Sequence, residues 1–459
     1  MIVAASLRGL VRVCDRTVGW PKPGTRRVLA ALATLLSALI ACSWARAANE
    51  ELASQSALDR LTLHDAERLL RDHNRDLKAA ERAVESSRAA LLSAGARQNP
   101  NLTMQTSNIN PHVGIGAGGL QDKAFDTQLR VDYLLERGGK RDLRIASASA
   151  LERASAYDTR DTLRNQRAAM AASYYDLLLA QERVRITHES AELFAGSLSA
   201  SRRRLAAGDI AASDVDRMAV DALRARSDEE VAAVDRLHAQ VNLGGILGLE
   251  RYAEKIVAAD GWPEPQTLPS DLDLDAVAES RADVKAARER VEAASRAREL
   301  ARSQRTRDVT VAVTYDHWPT NGANLQGTGN SYGFSVSIPL FLGNHFDGDI
   351  AKAEVDWGTA LDALEKTAAL ARADLVRSRL DLESAGSRVT RYDQELLASA
   401  KRAADAQEFA YERGAIGLLD LLDARRTLRS VQLDATAARA DYAKALAAWR
   451  QARALDGEE

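Results

Sequence analysis

The sequence predicts a mainly α fold with a small β part: long helices in a barrel, and four strands per chain that join a transmembrane β-barrel. Three observations carry that prediction. Beyond residue 47, prolines occur only at 100, 111, 263, 265, 269, 319 and 339, so 112–262 and 340–459 have none. Proline breaks helix interiors, and its absence permits very long helices. Four short segments instead alternate apolar and polar residues with period two, the signature of half-buried strands. Finally, the chain repeats itself at a spacing of 205 to 207 residues.

The N-terminus comes first in chain order. Arg26 and Arg27 precede an apolar run, Val28 to Ala41, and Ala45-Arg46-Ala47 forms a small-x-small cleavage site. This is the n-, h- and c-region order of a secretory signal peptide over 1–47. Leu39-Ile40-Ala41-Cys42 also resembles the lipobox of bacterial lipoproteins, which makes lipidation at Cys42 the alternative to cleavage after Ala47. The only other cysteine is Cys14, so the exported body has neither disulfide nor thiol chemistry. Seven basic residues and one acid give the first 47 residues +6; a chain net of −3 leaves −9 for the rest. Such a body gives no electrostatic reason to bind nucleic acid.

Residues 48–60 read as a linker. A first repeat, 61–250, runs helix, hairpin 101–135, long helix, tip near 208, helix. A linker follows at 251–272. The second repeat, 273–459, has the same order, with hairpin 308–341 and a tip near 414. The strands show themselves by alternation. Phe125, Leu129, Val131, Tyr133 and Leu135 interleave with Asp126, Gln128, Arg130 and Asp132; Val309, Val311, Val313 and Tyr315 share one face, as do Tyr332, Phe334, Val336 and Ile338. Leu102–Ser107 is a weaker version. Aromatics Tyr133, Tyr315, Trp318 and Tyr332 stand at strand ends, where an interfacial belt would place them. The glycine-free run 140–195 predicts a helix from about Lys140 to Ala206, about 100 Å long. Aligning 131–146 with 336–351 sets Gly138 opposite Gly343; together with Gly139 they are the expected bends between strand and helix. Aligning 205–215 with 411–421 sets Gly208 opposite Gly414 and Ile210 opposite Ile416.

Four strands cannot close, and open sheet edges are not tolerated in lipid. Two copies give eight strands with a filled interior; three give twelve and a lumen. Beyond each tip glycine a helix restarts. Asp214 and Arg217, three apart, are placed to form an ion pair, whereas Asp420 and Asp423 put two acids on one face.

Across residues 61–455 the chain resembles the TolC family of outer-membrane channels. The duplication, the paired hairpins and the two helix-turn-helix tips carry the resemblance, most closely YERGAIG (411–417) followed by LDLLDARRTL (419–428). Within the family, GARQNPNLT (95–103) and LERGGKR (135–141) resemble the heavy-metal efflux branch. The resemblance implies a homotrimer with its barrel in outer-membrane lipid and its helices in the periplasm. The tips would face a periplasmic adaptor (membrane fusion protein) and an inner-membrane pump of the RND type. It places Asp420 and Asp423 at a narrow periplasmic entrance, Asp214 and Tyr411 where neighbouring helices are linked to close it, and the turns around Gly208, Ile210, Gly414 and Ile416 against the adaptor. Ile416 stands where some members carry a basic residue of the closing network.

No catalytic set accompanies these features. The seven histidines have no metal-ligand spacing, and neither GxxxxGK[ST] nor GxSxG occurs. The glycine run 114–119 lies between two hairpin strands with no helix after it to present to phosphate. The expectation is therefore no enzyme, no cofactor and no resident metal. It is a passive exit duct, for heavy-metal cations first, drugs, other small organics or secreted protein second. A non-transporting periplasmic helical scaffold is the rival from another class.

Overall fold

A computed structural model describes residues 58–109, 119, 125–267, 273–318 and 329–453. The signal region with Cys42 and most of both hairpin loops lie outside them. Nine α-helices and four strands occur among the described residues: α1 (Leu63–His73), α2 (Arg75–Gly95), β1 (Asn101–Ser107), β2 (Asp126–Leu135), α3 (Lys140–Ala206), α4 (Ala212–Leu247), α5 (Leu274–Ser280), α6 (Ala282–Ser303), β3 (Val309–His317), β4 (Asn330–Ser337), α7 (Asp347–Arg391), α8 (Leu397–Glu412) and α9 (Leu418–Ala452). A π-helical turn, Tyr392–Leu396, joins α7 to α8, and a 3₁₀ turn, Glu250–Lys255, follows α4.

The chain divides into two compact units. In the smaller, Leu61 N–H donates to the Val257 carbonyl (2.8 Å) and Val257 N–H to that of Leu58 (2.9 Å). Everything that follows belongs to the larger, Thr62–Glu254 with Ala258–Glu459.

Local chemistry sets the element ends. Thr62 caps α1 by accepting from Asp65 N–H (3.1 Å), and Asn74 caps α2 by accepting from Leu77 N–H (2.8 Å). Asn74 also donates to the Ile246 carbonyl (2.8 Å), tying α2 to the end of α4. The helix expected at 140–206 spans those same residues.

The four strands form one antiparallel sheet in the order β1-β2-β3-β4. The helices continue that order. Thr159 of α3 donates to the Ala80 carbonyl of α2 (3.2 Å), and Ser147 of α3 to the Ala293 carbonyl of α6 (3.0 Å). Ion pairs at the same levels join Arg88 to Glu152, Arg153 to Glu289 and Arg298 to Glu354. The helices thus lie α2-α3-α6-α7, each the extension of its own strand. Ala150, Ala154, Ala286, Ala287 and Ala293 are buried, so small side chains let α3 and α6 approach closely.

One core lies lower down, where α5, α6, α7 and α9 meet: Val277, Val284, Leu375, Leu382, Val389, Tyr442, Leu446 and Trp449. Buried Arg281 is neutralised there by both carboxylate oxygens of Asp283 (2.6 and 3.1 Å). Residues 258–266, within the expected linker, are strapped down. Gln181 of α3 exchanges two hydrogen bonds with Ala258 (3.0 and 2.9 Å). Tyr174 donates to Asp260 (2.8 Å), and Tyr442 to the Glu264 carbonyl (3.1 Å). Burial pushes the Tyr174 hydroxyl pKa up, so it stays a donor.

Candidate functional site

The residues picked out from the sequence fall in three places: the sheet faces, the strand–helix junctions and the helix tips. The strand register decides the first. Leu129 pairs with Met104 and Tyr315, Val131 with Leu102 and Val313, Tyr133 with Val311, and Leu135 with Val309. Across β3–β4, Val311 meets Val336, Val313 meets Phe334 and Tyr315 meets Tyr332. Alternation puts all of these on one face. That face is bare in the single chain, with Phe334 71% and Tyr332 82% exposed. A contiguous apolar surface of this kind on a monomer marks a lipid or protein contact. The opposite face is polar: Gln128 donates to Asp316 (2.6 Å), directly across the β2–β3 register, and Thr103, Gln105, Thr314 and Ser335 lie on it. Of the aromatics expected at strand ends, Tyr315 and Tyr332 touch, with ring centroids 5.4 Å apart. No helix among the described residues is long and apolar enough to cross a membrane.

Below the sheet, Gly138 and Gly139 are both left-handed, with φ of 72° and 68°. A Cβ on Gly138 would sit 2.8 Å from the Cβ of Thr306, so this glycine is needed for conformation and for space. The residues that follow lock the bend. Lys140, 4% exposed, donates to the Thr306 carbonyl (2.9 Å) and to Asp308 (2.8 Å). Glu136 takes a two-pronged bond from Arg144 (2.6 and 2.9 Å), and Arg141 donates to the Gly95 carbonyl (2.7 Å). Each of these roles falls on a residue of LERGGKR or its immediate partner.

Gly343 does not play the part expected of it. It is not left-handed, and a Cβ there would meet open space. The left-handed residue before α7 is Phe346, φ 61°, which stands opposite Gly139 at an offset of 207. The second junction runs from 338 to 346 where the first needs only 136–139. The longer connection spreads the change of direction, and the expected pairing of Gly138 with Gly343 is two residues out of register.

Both tips end alike. At the first, Gly208 (φ 81°) donates to the Leu205 carbonyl and Asp209 to that of Arg204, each 2.9 Å. At the second, Gly414 (φ 73°) donates to Tyr411 and Ala415 to Ala410, again 2.9 Å. This is the Schellman arrangement, which satisfies the last carbonyls of the incoming helix. Ile210 and Ile416 are half-buried at the turns. Leu418 packs into a small core with Phe194, Met218 and Leu422, so its apolar character serves the chain itself. Leu419 is exposed.

The acids divide by role. Asp420 is exposed, and its carboxylate accepts the Gly417 N–H (3.3 Å), the side-chain half of an N-terminal cap. Asp423 is exposed, with no bonded partner among the described residues. Asp214 is half-buried, and the ion pair expected with Arg217 is absent; Arg217 points to solvent. The first turn of α4 leaves them on the same helix without bringing the charges together. Tyr411 does join neighbouring helices: its hydroxyl accepts from Arg204 of α3 (3.0 Å), whose guanidinium lies 5.7 Å from the ring.

Sequence reasoning missed the basic ladder on α9. Arg426 grips both oxygens of Asp221 on α4, each at 2.6 Å, and that carboxylate is 6% exposed. Arg429 pairs with Asp228 of α4 (2.9 Å), and Arg425 bonds Ser197 of α3 (2.6 Å) and Glu408 of α8 (2.7 Å). One signal was available: Asp221 and Asp228 lie seven apart, two turns along one helix face.

No cluster of three or more His, Cys, Asp or Glu suited to a metal occurs among the described residues. The family model for outer membrane efflux proteins matches twice, over residues 68–249 and 274–454. The cobalt-zinc-cadmium resistance protein CzcC of Cupriavidus metallidurans is 26% identical over 376 residues, 80% of this chain and 84% of that one. The pyoverdine export outer membrane protein OpmQ of Pseudomonas aeruginosa is 24% identical, over 78% of each chain. The CmeC outer membrane channel of Campylobacter jejuni superimposes with a TM-score of 0.73 over 88% of both chains, at 15% identity. The chain belongs to the outer membrane efflux protein family, whose members are outer-membrane channels and not enzymes.

Proposed function

We propose that three copies of this chain join edge to edge, β4 of one on β1 of the next, into a twelve-stranded barrel continued by a helical tube. The observation that carries this reading is the sheet itself: one apolar face across all four strands, one polar face, and two unpaired edges. Unpaired backbone groups in hydrocarbon cost several kcal/mol each, in the range of about 4–8 kcal/mol on an alkane scale, so the edges must meet partners. A twelve-stranded ring turns the Gln128–Asp316 face inward around a water-filled lumen.

The trimer works as a passive exit duct in a tripartite system. An inner-membrane pump of the RND type supplies the energy, and a periplasmic adaptor docks on the tips at Gly208–Ile210 and Gly414–Ile416. Asp420 and Asp423 form two rings of three carboxylates at the periplasmic entrance, which concentrate cations and resist close approach. Asp214 and Tyr411, the latter through Arg204, hold the adjoining helices in the closed entrance. Cys42 is the anchor point if the leader is processed as a lipoprotein.

The cargo is a heavy-metal cation such as zinc, cobalt or cadmium. Support comes from the similarity to CzcC and from LERGGKR. A small organic cargo is the second reading, favoured by the similarity to the pyoverdine exporter. Efflux from cells with and without this gene, preloaded with zinc, cobalt or cadmium or with a fluorescent dye, separates them. Slower metal release alone supports the first; slower dye release alone replaces it with the second.

A further inference from the structure

The alternation of the sheet runs one step past its lower end. On β2 the apolar face is Leu129, Val131, Tyr133 and Leu135, and the next residue of that set is Arg137. On β3, read backwards from Tyr315 to Val309, the next is Arg307. Leu135 pairs with Val309, so the two arginines stand side by side at the foot of the apolar face. The intervening acids, Glu136 and Asp308, belong to the other set and are neutralised by Arg144 and Lys140.

These two arginines have no such neutralisation. Arg137 donates its main-chain N–H to Asp308 (2.9 Å), and its guanidinium bonds nothing among the described residues. The Arg307 guanidinium lies 5.6 Å from the Phe341 ring and makes no ion pair among the described residues. A third, Arg305, spends its charge on Asp347 (2.5 Å) and the His345 carbonyl (3.2 Å). All three line one open cavity of about 730 Å³, together with Phe341, His345 and Asp347. Beside it, Leu340 and Leu342 are exposed although strongly apolar.

We propose that this cavity holds the phosphate of an anionic phospholipid, of the phosphatidylglycerol class, from the periplasmic leaflet. Its acyl chains lie along the apolar sheet face and the Leu340–Leu342 segment. The inference rests on the reading that the sheet spans the membrane with its helical end in the periplasm. A guanidinium fork matches a phosphate in geometry as well as charge. The apolar collar distinguishes a lipid from a free anion. A zwitterionic headgroup brings its own cation to two unpaired arginines and is disfavoured.

Native mass spectrometry of the full-length protein in detergent tests this, with phosphatidylglycerol and phosphatidylcholine of matched acyl chains added in turn. The intact assembly should retain phosphatidylglycerol in preference. With each basic residue worth about fivefold, the R137Q/R307Q variant should bind it about thirtyfold more weakly. R137K/R307K should keep the preference, and millimolar inorganic phosphate should not displace the lipid. An unchanged preference in R137Q/R307Q, equal retention of the two lipids, or displacement by phosphate overturns the assignment while the trimer mass stands. Loss of the trimer mass in the unaltered protein overturns the barrel reading itself, and the lipid site with it.

Discussion

The two halves of the duplication keep the same backbone devices and fill them with different side chains. Each long helix starts after a left-handed residue, glycine at 139 and phenylalanine at 346. Each tip closes on a left-handed glycine with the same pair of hydrogen bonds. The first half is locked by buried groups, Lys140 on Asp308 at the junction and Phe194 with Met218 at the tip. In the second half the junction is long and held by the exposed pair Arg305–Asp347, the helix is interrupted by a π turn, and α8 buries only Ala404. At junction and tip the first half is the more firmly held; the second half keeps its own core where α5, α6, α7 and α9 meet, and presents exposed acids at its tip. π turns inside long helices frequently mark functional sites, and this one lies in the half that carries Tyr411, Asp420 and Asp423.

Substitutions at the two junctions and at the tips can break this comparison. Lys140→Ala strands a partly buried Asp308 and should cost about 3 kcal/mol. Arg305→Ala removes an exposed pair and should cost about 0.5 kcal/mol or less. Urea midpoints followed by circular dichroism measure both, and equal losses would abolish the contrast between the junctions. At the tip, Arg426→Ala leaves the Asp221 carboxylate buried without a partner, at a cost of about 3 kcal/mol. Asp420→Ala removes one weak cap, about 0.5–1 kcal/mol. If Asp420 serves the entrance, its loss together with Asp423→Ala shows instead in single-channel recordings as weaker block by trivalent cations.

Gly138→Ala meets both positive φ and Thr306 and should cost about 2 kcal/mol, while Gly343→Ala should stay within about 0.5 kcal/mol of the unaltered protein. The smallest effect is a pH dependence within the α3–α4 hairpin, well above its tip. His188 of α3 bonds Glu229 of α4 (2.7 Å), with Glu192 and Glu189 near it on its own helix. That bond raises the histidine pKa above its ordinary 6.5. Protonated His188 therefore supports the α3–α4 hairpin fully below pH 6.5, and the support fades as pH rises through the raised value. Amide protection at 185–192, taken relative to the intrinsic base-catalysed exchange rate, should fall from pH 6 to pH 8, and His188→Gln should flatten that fall.

Proline placement and period-two alternation made helix lengths and strand positions legible, because both act through the backbone alone. The tips were legible for the same reason: Gly208 and Gly414 are required by φ. What stayed hidden depends on neighbours far along the chain. The grip of Arg426 on Asp221 spans 205 residues; the seven-residue spacing of Asp221 and Asp228 marks a shared helix face but does not identify the partner. Gly343 misled because a glycine in a loop is not evidence of a left-handed turn, and the residue that makes the turn, Phe346, has no chemistry that announces it. Asp420 looked like a pure entrance acid, yet it also caps its own helix.

The central claim is that one sheet face meets lipid and the other meets water. Single cysteines at Val313 and Thr314, introduced into a chain with Cys14 and Cys42 replaced by serine, test it in intact outer membranes with a membrane-impermeant maleimide. Thr314→Cys should react from the water-filled lumen, and Val313→Cys should stay silent until detergent strips the lipid. Equal reaction at both positions in intact membranes would mean that no barrel forms.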